Sequence, residues 1–160
     1  MNPELVHGAI FDGYLGIPTI HKPDTFIIPT DIIPFTKRNR NRDVNTAIGF
    51  YEMDQEFSKV LISPEIYVEE FCLQTLVTPE SVKPLLSPDC SLYRDAPLAV
   101  QITNVYRNRA IGYYYQSRGA YVIPQIRWGN TLTYTEQVLP EKLAFLGVEK
   151  HSIYAIGTYG

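Results

Sequence analysis

Proline placement constrains this chain more than any other feature of its sequence. Five of its twelve prolines, Pro3, Pro18, Pro23, Pro29 and Pro34, fall within the first 34 residues. Each fixes its own φ, removes a backbone donor and pushes its predecessor toward extended geometry. Residues 1–35 are therefore expected to form an extended arm with almost no helix. Edge strands or a packed wrap are expected at Phe26-Ile27-Ile28 and Asp31-Ile32-Ile33-Pro34-Phe35. The run Lys37-Arg38-Asn39-Arg40-Asn41-Arg42-Asp43 then breaks the apolar pattern and reads as a basic loop.

From residue 44 to 160 the texture is one of alternating strands and helices. Thr46 to Tyr51 reads as a short buried strand. Asp54 is placed as the cap of a helix through Phe57, Val60 and Leu61, and Ser63-Pro64 as the start of a second one reaching about Gln74. Ser81 to Leu86 is a strand interrupted by Pro84. The longest helix is expected from Pro97 to Arg118, stopped by Gly119. Tyr121 to Arg127 is the next strand, Glu141 to Leu146 a weaker helix, and Ser152 to Ile156 the last strand. Alternation of this kind predicts an α/β fold with a mainly parallel sheet and covering helices. Two forms stay open, a small doubly wound sheet or a partial barrel. The 160 residues suit a single domain, with 1–43 as arm and basic loop and 44–160 as body.

Composition removes several function classes. A net charge of −3 creates no global field for nucleic acid or an anionic membrane, so such binding needs a local patch. No stretch approaches the ~18 consecutive apolar residues of a membrane span, and the start lacks the basic flank and apolar run of a secretory signal. No membrane partner is predicted. The two cysteines, Cys72 and Cys90, read as structural thiols of a reducing cytoplasm. The histidines are scattered and no zinc spacing occurs, so no metal is predicted. Neither phosphate-binding glycine motif is present, so no nucleotide cofactor is predicted. A nucleophilic pair of Cys90 and His151 rests on residue type alone.

Candidate chemistry gathers at the carboxyl ends of the strands, where sites of parallel sheets lie. Those ends carry Glu52 and Asp54, Ser87 and Asp89, Arg127, Trp128 and Asn130, and Thr158. The acids and Arg127 are the candidate catalytic groups, since two carboxylates in unlike environments divide acid and base roles. Ser87, Trp128, Asn130 and Thr158 are candidate ligand contacts. The bland alternative makes Asp54 and Asp89 helix caps. Within Asn104-Val105-Tyr106-Arg107-Asn108-Arg109, Arg107 and Arg109 point about 160° apart on a helix, so one faces the sheet. That one is expected to pair with Asp89 or Asp95, or else to clamp a phosphate or carboxylate. Lys37, Arg38, Arg40 and Arg42 are the candidate nucleic-acid contacts, a run suited to tracking a phosphate backbone.

The segment Leu85 to Gly129 also carries a resemblance. Its marks are Ser87-Pro88-Asp89-Cys90-Ser91-Leu92-Tyr93, Asn104 to Arg109, Tyr115-Gln116, Gly119, Val122-Ile123-Pro124 and Arg127-Trp128-Gly129. Gly16-Ile17-Pro18 and Ala155-Ile156-Gly157-Thr158 fit the same pattern. The chain resembles a phage and plasmid family known as domain of unknown function 4417. That resemblance implies an α/β fold, a phage or mobile-element setting in a host cytoplasm, and no assigned chemistry. Family members usually continue with a further helix and strand, which implies a C-terminally shortened member here. Two functions follow as expectations. One is a phage or mobile-element accessory protein that binds nucleic acid or a host or phage protein, or assembles with copies of itself. The other is a small α/β hydrolase with Asp89, Arg127, Trp128 and either Glu52 or Asp54 at its strand ends.

Overall fold

A computed structural model describes residues 2–40, 45–72 and 83–157. Arg42 and Thr158 lie outside the described residues, as do Gln74 and the beginning of the strand expected from Ser81. The centre of the molecule is a four-stranded sheet of β3 (Asp31–Pro34), β4 (Thr46–Gly49), β5 (Leu85–Leu86) and β6 (Val122–Ile123), every neighbouring pair parallel. Ahead of it, β1 (Phe11–Asp12) and β2 (Ile17–Pro18) form a small antiparallel pair. After it, β7 (Gln125–Ile126) pairs in parallel with β8 (Ala155–Ile156). Pro124 separates β6 from β7. Having no amide hydrogen, it ends one ladder, and the continuing strand takes β8 as its new neighbour. The strands thus lie side by side in chain order, without the reversal that marks a doubly wound sheet. The mainly parallel α/β architecture with covering helices is that expected.

The helices are α1 (Ser58–Ile62), α2 (Val68–Cys72), α3 (Leu98–Gln116) and α4 (Thr131–Tyr134). Side chains of a strand alternate between faces. Ile48, Leu85 and Val122 point to the helix side, where they join Phe50, Phe57, Phe71, Ile111 and Tyr115 in the main core. Phe35, Phe50, Phe57, Phe71 and Tyr115 form a chain of ring contacts through that core, with centroids 5.2–6.5 Å apart. Beyond the end of α3, Gly119 takes φ +95° and lets the Ala120 amide reach back to the Tyr115 carbonyl, closing the helix as its sequence implies.

The arm supplies β3, the edge strand expected at Asp31 to Phe35, and its Leu5, Ile20 and Phe35 are core residues. Several other expectations need correction. The arm also holds a 3-10 turn at Pro3–Val6, capped by Asn2. Phe26 to Ile28 forms no strand. The Tyr121 hydroxyl accepts from the Ile27 amide at 2.8 Å instead. Asp54 caps nothing, since α1 begins later, after Phe57. Glu141 to Leu146 shortens to a 3-10 turn at Leu143–Phe145. α4 was not expected, because its four residues are too few to show a helical period.

Candidate functional site

All the strands of the main sheet are parallel, so their carboxyl ends share one rim. β5 leads to Ser87 and Asp89, and β7 leads to Arg127 and Trp128. The motif from Asn104 to Arg109 holds this rim in place. Asn104 and Asn108, one turn apart on α3, donate to the carbonyls of Ser91 (2.7 Å) and Pro88 (2.6 Å). The Ser87 hydroxyl donates to Asn108 Oδ1 at 2.9 Å and accepts from the Gln125 amide at 2.7 Å. The loop after β5 is therefore tied both to α3 and to β7. Ser87 is fully buried and serves this tie, which corrects its reading as a ligand contact.

Asp89 is the product of that arrangement. Its carboxylate is 2% exposed and meets Arg127 through both oxygens, with Nε 3.0 Å from Oδ1 and Nη2 on Oδ2. The third guanidinium nitrogen, Nη1, donates to the Gly157 carbonyl at 3.0 Å. A methyl group on Gly157 would sit 2.9 Å from the guanidinium carbon, so a side chain there would displace the fork. Burial pushes the Asp89 carboxyl up, and the Arg127 bonds pull it back. The expected convergence of an acid and an arginine from different strands is realised, as an ion pair.

Arg109 is the arginine of the motif that turns inward, and among the described residues no carboxylate pairs with it. Its guanidinium donates to the carbonyls of Leu146 (2.9 Å), Gln125 (2.8 Å) and Ala144 (3.0 Å), and to Asn108 Oδ1. This corrects the expectation of pairing with Asp89 or Asp95. Carbonyl oxygens at the ends of a 3-10 turn and of a strand supply the partial negative charge in place of a carboxylate. Complete burial draws its pKa down to about 10, which leaves the group charged at neutral pH. Arg107 is half-buried on the other side and faces Asp54 electrostatically. Burial raises the Asp54 carboxyl, Arg107 lowers it, and Asp54 in turn raises Asp89.

The remaining candidates separate from this centre. Glu52 is engaged at the β3–β4 end of the rim, accepting from the Thr36 amide at 3.0 Å and its hydroxyl at 2.5 Å. Asn130 caps α4, its Oδ1 accepting from the Leu132 amide at 3.0 Å while its amide donates to the Arg94 carbonyl at 3.3 Å. In the basic loop Arg38 is a packing residue. It stacks 4.0 Å over the Phe35 ring and lies 3.0 Å from Glu70. Lys37 and Arg40 are exposed. Cys72 and Cys90 are buried, and burial lifts the Cys90 thiol to about 12, away from nucleophilic reactivity at neutral pH. Among the described residues no three of His, Cys, Asp and Glu gather to hold a metal ion, and no helix is long and apolar enough to cross a membrane.

Arg127 and Trp128 open onto a cleft of about 390 Å³, whose other walls include Tyr93, Arg94, Gly129 and Gly157. Trp128 is 38% exposed and Tyr93 62% exposed. The Trp128 ring stands edge-on to Tyr134 of α4, with centroids 6.1 Å apart. A side chain at position 129 would come within 3.0 Å of the Tyr93 carbonyl, so glycine allows the loop after β5 to lie against the end of β7. Tyr93 and Arg94 were missed as site residues. The signal was their place in the loop that carries Asp89, four and five residues beyond it.

Two curated phage proteins are similar to this chain. It is 33% identical over 114 residues to the Gene 1 protein of Mycobacterium phage D29, an alignment covering 71% of the chain and 37% of that protein. It is 31% identical over 140 residues to the Gene 1 protein of Mycobacterium phage L5, covering 82% of the chain and 55% of that protein. The alignments thus span about half of the relatives' length or less. No solved structure matches. The family model for the domain of unknown function DUF4417 matches residues 9–160, nearly the whole chain, and the chain belongs to that phage-associated family.

Proposed function

We propose that this protein works by binding, and that its ligand is a single strand of nucleic acid held in the Trp128 cleft. The observation that carries the reading is the lining of that cleft, two exposed aromatic rings beside the exposed Arg94. Stacking of a base on an aromatic ring contributes about 1–3 kcal/mol and tolerates any sequence. A guanidinium beside the rings suits the phosphate that follows each base. The patch is local, as the net charge of −3 requires. The exposed Lys37 and Arg40 extend the same reading to the basic loop. Such a role carries with it a cytoplasmic setting in the host.

Binding is favoured over catalysis because two of the rim's three candidate acids are occupied. Asp89 is buried against Arg127 and Glu52 is held by Thr36. The hydrolase alternative draws on one observation, that burial raises the carboxyls of Asp54 and Asp89 while each stands near the other. Anisotropy of a labelled single-stranded oligonucleotide tests both. Wild type is expected to bind, and Trp128→Ala or Arg94→Ala to weaken binding about tenfold, as loss of one stacked base or one phosphate contact would. Equal affinity in wild type and both variants would remove the cleft from the reading. Cleavage of the bound strand would move the assignment to the hydrolase.

A further inference from the structure

Asn130 stands between two walls of the Trp128 cleft and uses each end of its side-chain amide on a different one. Its Oδ1 caps α4, accepting from the Leu132 amide at 3.0 Å, while its Nδ2 donates to the Arg94 carbonyl at 3.3 Å. α4 belongs to the Trp128 wall. The hydroxyl of the buried Thr133 accepts from the Gly129 amide at 3.2 Å and donates to the Asn130 carbonyl at 2.8 Å, and the Tyr134 ring stands edge-on to Trp128. Arg94 belongs to the other wall, in a turn closed by the Ala96 amide on the Tyr93 carbonyl at 3.2 Å. Gln101 of α3 secures the end of that turn, its Nε2 donating to the Ala96 carbonyl at 2.8 Å. The Asn130 bond therefore ties the backbone of an exposed arginine to the loop that carries the tryptophan.

We infer that Asn130 is a positioning residue for nucleic-acid binding, holding the Arg94 backbone so that its guanidinium meets the phosphate of a nucleotide stacked on Trp128. This rests on the proposed function and adds to it a residue that acts without touching the strand. In a nucleotide the base and its phosphate are covalently joined, so platform and cation must stand at one fixed spacing. Arg94 lies on an exposed turn, and a turn free to move would lose conformational entropy each time a strand engaged it. A bond already made in the free protein removes part of that loss. The two ends of the amide separate by substitution. Asn130→Ser keeps an oxygen that caps a helix about as well as asparagine does, and it has no side-chain nitrogen to donate to Arg94.

The test measures melting temperature, and affinity for a labelled single strand of thymidines at several salt concentrations. It compares wild type, Asn130→Ser, Arg94→Ala and the double variant. Asn130→Ser is expected to melt within about 2 °C of wild type, since the cap is kept. It should bind about fivefold more weakly and lower the slope of log affinity against log salt by about 0.7, the share of one phosphate on a single strand. A purely structural role would leave that slope alone. The double variant should bind as Arg94→Ala does, because Asn130 acts through Arg94. Wild-type affinity and slope in Asn130→Ser would overturn the inference and leave the Trp128 reading standing. Additive losses in the double variant would overturn it too. Failure of wild type to bind the strand would remove both readings together.

Discussion

Arg109 shows how a helical motif implies one inward arginine without naming it or its partner. Arg107 points away from the sheet, and Arg109 is the one that turns inward. Nothing in the local sequence shows that the carbonyls of Gln125, Ala144 and Leu146 will converge on it, because two of them lie more than thirty residues away. The fork geometry gives a sharp prediction. Arg109→Lys keeps the charge but satisfies fewer of these oxygens, each costing about 1–3 kcal/mol when left unpaired. A loss of about 3 kcal/mol is expected in urea unfolding. A loss below ~1 kcal/mol would show that the fork is not needed. Cys90 gives a second prediction. With its thiol lifted to about 12 by burial, it stays protonated through neutral and mildly alkaline pH. Neither cysteine of the native protein should then react with a disulfide reagent near pH 8, and both should react once urea unfolds the chain. Rapid reaction of a thiol in the native state would contradict the burial described.

Among the elements, length decides what was legible. The nineteen residues of α3 gave its extent to within two residues and implied one inward arginine, and the buried strand β4 stood out between polar flanks. The short pieces did not. β1 and β2 have two residues each, and α4 only four. Tyr121 to Arg127 reads as one strand in sequence, but Pro124 splits it, and the change of partner from β5 to β8 depends on pairing that no local pattern records. The candidate site followed the same rule. Asp89, Arg127 and Trp128 were found because parallel strands send their carboxyl ends to one rim. Asn130 was misassigned because a side chain that caps a helix and one that binds a ligand look alike in sequence. Its capping role predicts that Asn130→Ala costs about 1 kcal/mol and lowers Tm by about 2–4 °C. Thermal unfolding followed by circular dichroism measures this, and an unchanged Tm would deny the cap.

For the whole molecule, strand order carries the functional meaning. Parallel strands put every connection after a strand on one rim, and here that rim gathers Asp89, Arg127, Trp128 and Gly157. The Asp89–Arg127 pair joins the end of β5 to the end of β7, and the Gly157 bond adds the end of β8. The cleft thus sits where three strand ends are tied together. Trp128 is the sole tryptophan of the chain and stands in the wall of that cleft, so its emission reports on the site without a label. The most direct measurement is therefore a titration of wild-type protein with a short single-stranded oligonucleotide, following Trp128 fluorescence at several salt concentrations. Saturable quenching whose midpoint rises steeply with salt is the predicted result, since a stacked base quenches the ring and phosphate contacts release counterions. Emission that stays unchanged at low salt would contradict the assignment of this cleft to nucleic acid.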